Sequence, residues 1–325
     1  MITDRRETLR PAEYPELLDY RDAVRHAYWL HSEFNLTEDI HDYRSRVSDS
    51  ERQAIERTLL AIAQVEVAVK TFWGDVYKRF PKPEVGAVGY TFAESEVRHQ
   101  DAYAHLLELL GLQDQFATLD EVPAIAQRLQ LLREQLNSSP NASDEDYAFT
   151  LLLFSVFVEH VSLFSQFLIM KAFNKHRNLF KGVANIVEAT SKEEQIHGLF
   201  GYKLIEILRA EKPELFGLAF TKRLESACLA ACQAEEDILD WIFEAGELEF
   251  LPKAQISAFI QQRFNSALVR VGGGALWRVD ETLLAPTQWF EEELLAGKHV
   301  DFFHKRPTTY TKKSKSITAD DLFAA

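Results

Sequence analysis

Cysteine occurs only twice in 325 residues, at Cys228 and Cys232, one helical turn apart. So small a stock supplies no disulfide framework, and the natural reading is a reduced, cytoplasmic protein with both thiols as packing residues. Glycine (13) and proline (10) are scarce as well, which leaves little material for the tight turns of an all-β fold. Positive charge is in deficit: 36 Lys and Arg face 50 Asp and Glu, a net charge of −14. That balance argues against nucleic acid or an anionic membrane as the main partner. The first residues carry no apolar signal core. Apolar residues, by contrast, are plentiful. With 46% hydrophobic and 26% charged residues, the chain can bury a sizeable core, and a disordered or fibrous class is excluded.

The prolines, at 11, 15, 81, 83, 123, 140, 213, 252, 286 and 307, leave 16–80, 84–122 and 141–212 free to be helical. Ser48 and Glu51 stand at the reciprocal positions of a capping box that opens a helix. The buried face of that helix reads Ile55, Leu59, Ile62, Glu66, Val69, Trp73, in steps of four and three. One member of this apolar stripe is a glutamate. The same oddity recurs from Leu151 to Met170, a run apolar almost all round. Its length suits a membrane span, but Glu159, His160 and Gln166 interrupt it, so a central core helix is predicted. Further helices are predicted at 15–33, 85–111, 121–136, 180–210, 214–246, 254–270 and 286–296. After Phe303 the composition turns polar, which divides the chain into a helical domain, 1–304, and a flexible tail, 305–325.

Two segments share a spacing, Glu96-x-x-His99 and Glu194-x-x-His197. Residues three apart lie on one helix face, so each pair offers a carboxylate and an imidazole to one point. Alone this means little, since 10 histidines among this many glutamates give about one such pair by chance. A third copy, Glu38-x-x-His41, lies in a polar stretch with no apolar helix to project from and reads as a decoy. The full set is specific. Carboxylate-bridged dimetal bundles take one Glu from each of two helices and a Glu-x-x-His from each of two more. Glu66, Glu96 and His99, Glu159, and Glu194 and His197 fill that pattern in order, on four predicted helices. Four buried carboxylates without partners would cost several kcal/mol each, and two divalent cations would balance their charge.

Order and spacing resemble the small, radical-generating subunit of class I ribonucleotide reductase over nearly the whole chain. The resemblance implies an all-α, ferritin-like bundle around two metal ions. SEVRHQDAYAH is similar to the family's stretch of Glu, His and Tyr, and places Tyr103 beside the metals. KEEQIH is similar to the segment with an acidic residue before the second Glu-x-x-His, here Glu193. Trp29 stands near the family's electron-transfer tryptophan, and Tyr310 in the tail matches its last relay tyrosine. The terminal DDLFAA resembles the peptide that docks on the large subunit. A homodimer is likewise implied. The apolar residues Phe154, Phe157, Phe164 and Phe167 are expected to wall the oxidant off from water. Lys70, one turn after Glu66, is expected to reach the edge of the metal site near Tyr103. That resembles the subgroup whose dimanganese centre, activated by superoxide, is itself the oxidant, so manganese is favoured over iron. Glu and His donors suit both. A dimetal oxidase acting on a bound small molecule or lipid, and an iron store, are the alternatives; the relay set and the terminal peptide disfavour both.

Overall fold

The computed structural model describes residues 1–67, 69–137 and 142–299. The boundary expected at 304, the 305–325 tail and Tyr310 lie outside them. The described chain is helical, in the order α1 (Leu18–His26), α2 (Thr37–Ser45), α3 (Asp49–Val65), α4 (Val69–Arg79), α5 (Pro83–Leu110), α6 (Gln113–Ala117), α7 (Pro123–Asn137) and α8 (Asp144–Leu152). A π-helical segment (Leu153–Ser162) follows, then α9 (Leu163–Arg177), α10 (Lys181–Glu211), α11 (Leu218–Ile242), α12 (Lys253–Arg270), α13 (Glu281–Leu284) and α14 (Gln288–His299). This is the all-α bundle expected. Helices α3, α5, the π segment and α10 pack about one another and enclose the four glutamates.

The capping box forms: Glu51 N donates to Ser48 Oγ at 3.3 Å and Ser48 N to Glu51 Oε2 at 2.8 Å. The helix it opens does not run on to Trp73 as predicted. It ends at Val65, and α4 begins at Val69. Lys70 Nζ takes up the carbonyls left at the break, Glu66 O at 3.0 Å and Val67 O at 2.9 Å. The break leaves the apolar stripe in step, which is why the spacing hides it.

The helix predicted at 15–33 is also shorter. It closes at His26, and Trp29 lies in a non-helical link whose carbonyl accepts from Arg98 Nη1 at 3.3 Å. The polar stretch around Glu38 is a helix after all, α2. It buries Asp39 and Asp42 in place of an apolar stripe, and these cap α10 from outside: Gly182 N and Val183 N donate to Asp39 at 3.1 and 2.8 Å, and Phe180 N to Asp42 at 3.0 Å. Glu38 and His41 face solvent.

The apolar run extends to 34 residues, Asp144–Arg177, long and apolar enough to cross a membrane, and 83% of its apolar window is buried among the other helices. Its middle turns are π-helical and carry Glu159. Two glycines let α10 approach this segment. A Cβ on Gly201 would stand 2.0 Å from Ser155 Oγ, and one on Gly198 2.7 Å from the ring of His160. Cys228 and Cys232 are buried on α11 and unpaired. Burial pushes both thiols up, Cys232 to about 12, so they pack rather than react.

Candidate metal centre

Six side chains from four stretches of helix converge in the core, each essentially without solvent exposure. Two sets of four could each hold a metal ion: Glu66, Glu96, His99 and Glu194, and Glu96, Glu159, Glu194 and His197, with one donor atom from each residue within 4.8 Å of the others. Glu96 and Glu194 belong to both. The sequence names all six; the sharing is the structure's addition.

Both imidazoles present Nδ1 to the carboxylates. His99 Nδ1 lies 3.2 Å from Glu96, 3.0 Å from Glu194 and 3.9 Å from Glu66. His197 Nδ1 lies 2.9 Å from Glu96, 3.3 Å from Glu194 and 3.5 Å from Glu159. The far ring nitrogens are held from behind: His99 Nε2 is 2.8 Å from Glu193 Oε2, and His197 Nε2 is 3.1 Å from Ser95 Oγ. A partner on the outer nitrogen fixes the ring and leaves the inner one free to bind a cation.

The electrostatics describe a cluster with more negative charge than its own cations balance. Burial pushes the Glu66 and Glu159 carboxyls well up, and the neighbouring carboxylates of Glu96 and Glu194 add to it. Against the same desolvation, His197 and His99 hold Glu96 at about 2. Burial opposes charge on the imidazoles too, yet the surrounding carboxylates raise both well above the ordinary histidine range. Both oxygens of Glu66 have no hydrogen-bond partner. Buried carboxylate oxygens without partners are costly, and a pair of divalent cations fits the cluster: oxygen and imidazole donors, buried and convergent.

Trp73 joins this centre by donating to Glu159 from Nε1 at 2.7 and 2.9 Å. In the sequence it is legible only as a core position. The rings nearest His197 are Phe92 at 4.1 Å and Trp73 at 5.6 Å, with Phe200 packed on both. The expected wall is partly different. Phe154 stacks on Phe72, whereas Phe157 packs on Phe264, and Phe164 on Phe167 and Phe290.

Trp29, Glu193 and His99 form one connected line. Trp29 Nε1 donates to Glu193 Oε2 at 3.1 Å, and its ring stacks on that of His99 at 5.8 Å and 16°. Against the burial that would raise it, His99 and Arg98 hold the Glu193 carboxyl below the usual range. Arg98 grips both Glu193 oxygens, at 3.2 and 3.0 Å, and packs over Tyr28. Nothing in the sequence marks it beyond its place before His99. Tyr103 is buried, and its hydroxyl reaches Thr190 Oγ1 at 3.4 Å. Burial and then the Glu66 carboxylate push its phenol above the ordinary range. Lys70 does not meet Tyr103 as expected. Its ammonium is spent on the Glu66 and Val67 carbonyls and on Gln100 Oε1 at 2.6 Å.

Residues 6–283 match the sequence model of the family "Ribonucleotide reductase, small chain". The chain is 28% identical, over 97% of its length and 86% of the relative's, to the probable ribonucleoside-diphosphate reductase small subunit 048L of Invertebrate iridescent virus 3. In fold it is similar to the ribonucleotide reductase R2 subunit from Clostridium botulinum (TM-score 0.78, 14% identity, 87% of this chain and 89% of that one). It is also similar to dimanganese(II)-NrdF of Streptococcus sanguinis (TM-score 0.74, 15% identity, 87% and 99%).

Proposed function

The chain belongs to the ribonucleotide reductase small-chain family, and from that membership we propose that it is the radical-generating small subunit of ribonucleoside-diphosphate reductase, with six ligands holding two metal ions. The observation that carries this reading is the pair of donor sets sharing Glu96 and Glu194. Glu66 and His99 complete one ion's ligands, and Glu159 and His197 the other's. Two such ions supply, when bound, the activation of an oxygen species and a one-electron oxidising equivalent. The protein's own part is to orient and to conduct. Glu193 and Ser95 fix the two imidazoles, Trp73 positions Glu159, and the rings of Phe92 and Phe200 exclude water from the His197 side. The outward line runs from His99 through Glu193 to Trp29, with Glu193 accepting from both. Its destination is the large subunit, which holds the nucleotide. The small subunit works as a homodimer, in the cytoplasm.

Removing residues 311–325 is expected to abolish binding to the large subunit while both metals stay bound, because none of the six ligands belongs to that segment. Tyr310→Phe should bind the large subunit normally and fail in turnover, since phenylalanine has no phenolic proton to lose. Surface plasmon resonance, metal analysis and a nucleotide-reduction assay on the same samples check both. A truncated chain that still binds the large subunit contradicts the docking role.

Manganese is the favoured metal, and the metals themselves store the oxidant. The support is that the Tyr103 hydroxyl is bonded to Thr190 rather than to any of the six ligands. Tyr103→Phe is then expected to retain at least about a third of wild-type turnover, a barrier change of under about 1 kcal/mol. Loss of all activity, with an organic-radical resonance in the active wild type, would place the oxidant on Tyr103 instead.

A further inference from the structure

Behind the π segment, on the face away from the two donor sets, lies a cavity of about 140 Å³ bounded by α7, α8, the π segment and α11. Phe149, Phe154 and Phe157 form its aromatic side, and a row of small residues on α11, including Ala231 and Ala234, forms the other. Ala230 is exposed and Ala231 half-buried, so the slot opens toward solvent along α11. It shares no residue with the metal centre.

Two charged groups line it, Arg128 and Glu235. Arg128 is 4% exposed. Its Nη2 donates to the carbonyl of Ala61, but Nε and Nη1 have no hydrogen-bond partner. Glu235 stands 3.7 Å from Nη1, near enough to balance the charge and too far for a hydrogen bond. The other oxygen of that carboxylate, Oε2, accepts from Gln166 Nε2 at 3.0 Å and Ser165 Oγ at 3.5 Å. Two guanidinium nitrogens, Nε and Nη1, are thus left without a hydrogen-bond partner at the edge of a mostly apolar space. An unpaired buried donor costs about 1–3 kcal/mol, and such groups in folded proteins ordinarily have a partner.

The charge and the walls define that partner. Arg128 and Glu235 already cancel, so an anion would leave a net negative charge in the interior beside Glu235, and a cation a net positive one. Water needs two to four polar contacts; Arg128, Glu235 and Ser162 are the polar lining residues, and the other nine are aromatic or aliphatic. We propose that the cavity binds a small neutral amphiphile, with an apolar body between the phenylalanines and the alanine row and one acceptor oxygen on Arg128. Alcohols, ketones and primary amides belong to this class. The site is separate from the metal centre and does not depend on the function assigned to it.

The test uses the full chain and three probes of one shape: benzyl alcohol, toluene and benzoate, titrated by ligand-observed NMR and followed by crystallography of the best binder. Benzyl alcohol is expected to bind at least ten-fold more tightly than either of the others, with its oxygen on Arg128. Ala231→Leu, which fills the slot and leaves the ion pair intact, should abolish binding with metal loading and helicity unchanged. Arg128→Met should erase the preference of benzyl alcohol over toluene. Tighter binding of benzoate, saturable binding that survives Ala231→Leu, or a cavity that takes only water up to the solubility limit would each overturn the proposal.

Discussion

Glu194→Ala is expected to remove both metals and all turnover while leaving the protein folded. Glu194 belongs to both donor sets, so no single-ion remnant keeps four ligands. Losing even an outer-shell partner of a metal typically costs 10–100-fold in affinity, so a shared ligand should cost more than about 100-fold at each ion. The metal-free protein should be at least as stable as its wild-type counterpart. The substitution deletes one of four clustered, buried carboxylates, two of which are already pushed well above the ordinary range. Glu38→Ala and His41→Ala, at the exposed copy of the motif, should change neither metal content nor activity. Metal analysis and thermal denaturation of the metal-free forms separate these cases. A Glu194→Ala protein that still carries two ions contradicts the assignment.

Trp29→Phe is expected to keep both ions and lose turnover by about 1,000-fold, a barrier increase of about 4 kcal/mol. Phenylalanine can fill much of the stacking position on His99 but has no N–H to donate to Glu193, and its ring is far harder to oxidise. His99 remains oriented, because Glu193 is held independently by both Arg98 contacts. Full metal content with lost nucleotide reduction is therefore the signature of a broken relay. Metal loss in this variant would instead make Trp29 a structural support of the site.

What the sequence discloses is whatever leaves a trace in helical spacing. Glu66 and Glu159 stand out because each interrupts an apolar face, and the two Glu-x-x-His pairs because both residues fall on one side of a helix. The interruption of the helix after Val65 leaves no such trace: Val69 and Trp73 resume in register. The π turns from Leu153 to Ser162 are hidden for the opposite reason, since a segment apolar on every side has no periodicity to disturb. Helix α2 escaped because its buried face is made of Asp39 and Asp42, whose partners are the backbone amides of α10. Spacing alone puts Lys70 one turn from Glu66 and says nothing of where its ammonium goes. Its ammonium went to the carbonyls freed at a break that spacing cannot see. Arg98, Ser95 and Thr190 are tertiary partners of site residues. Such contacts are settled by packing between helices distant in the chain.

The most direct test of the account is to count and locate the metals in wild-type protein prepared with ample manganese and iron, by elemental analysis and by anomalous diffraction at both absorption edges. Two ions per chain are expected, one against Glu66 and His99, the other against Glu159 and His197, both touching Glu96 and Glu194. A chain with one ion or none, or with ions bound away from these six residues, would contradict it.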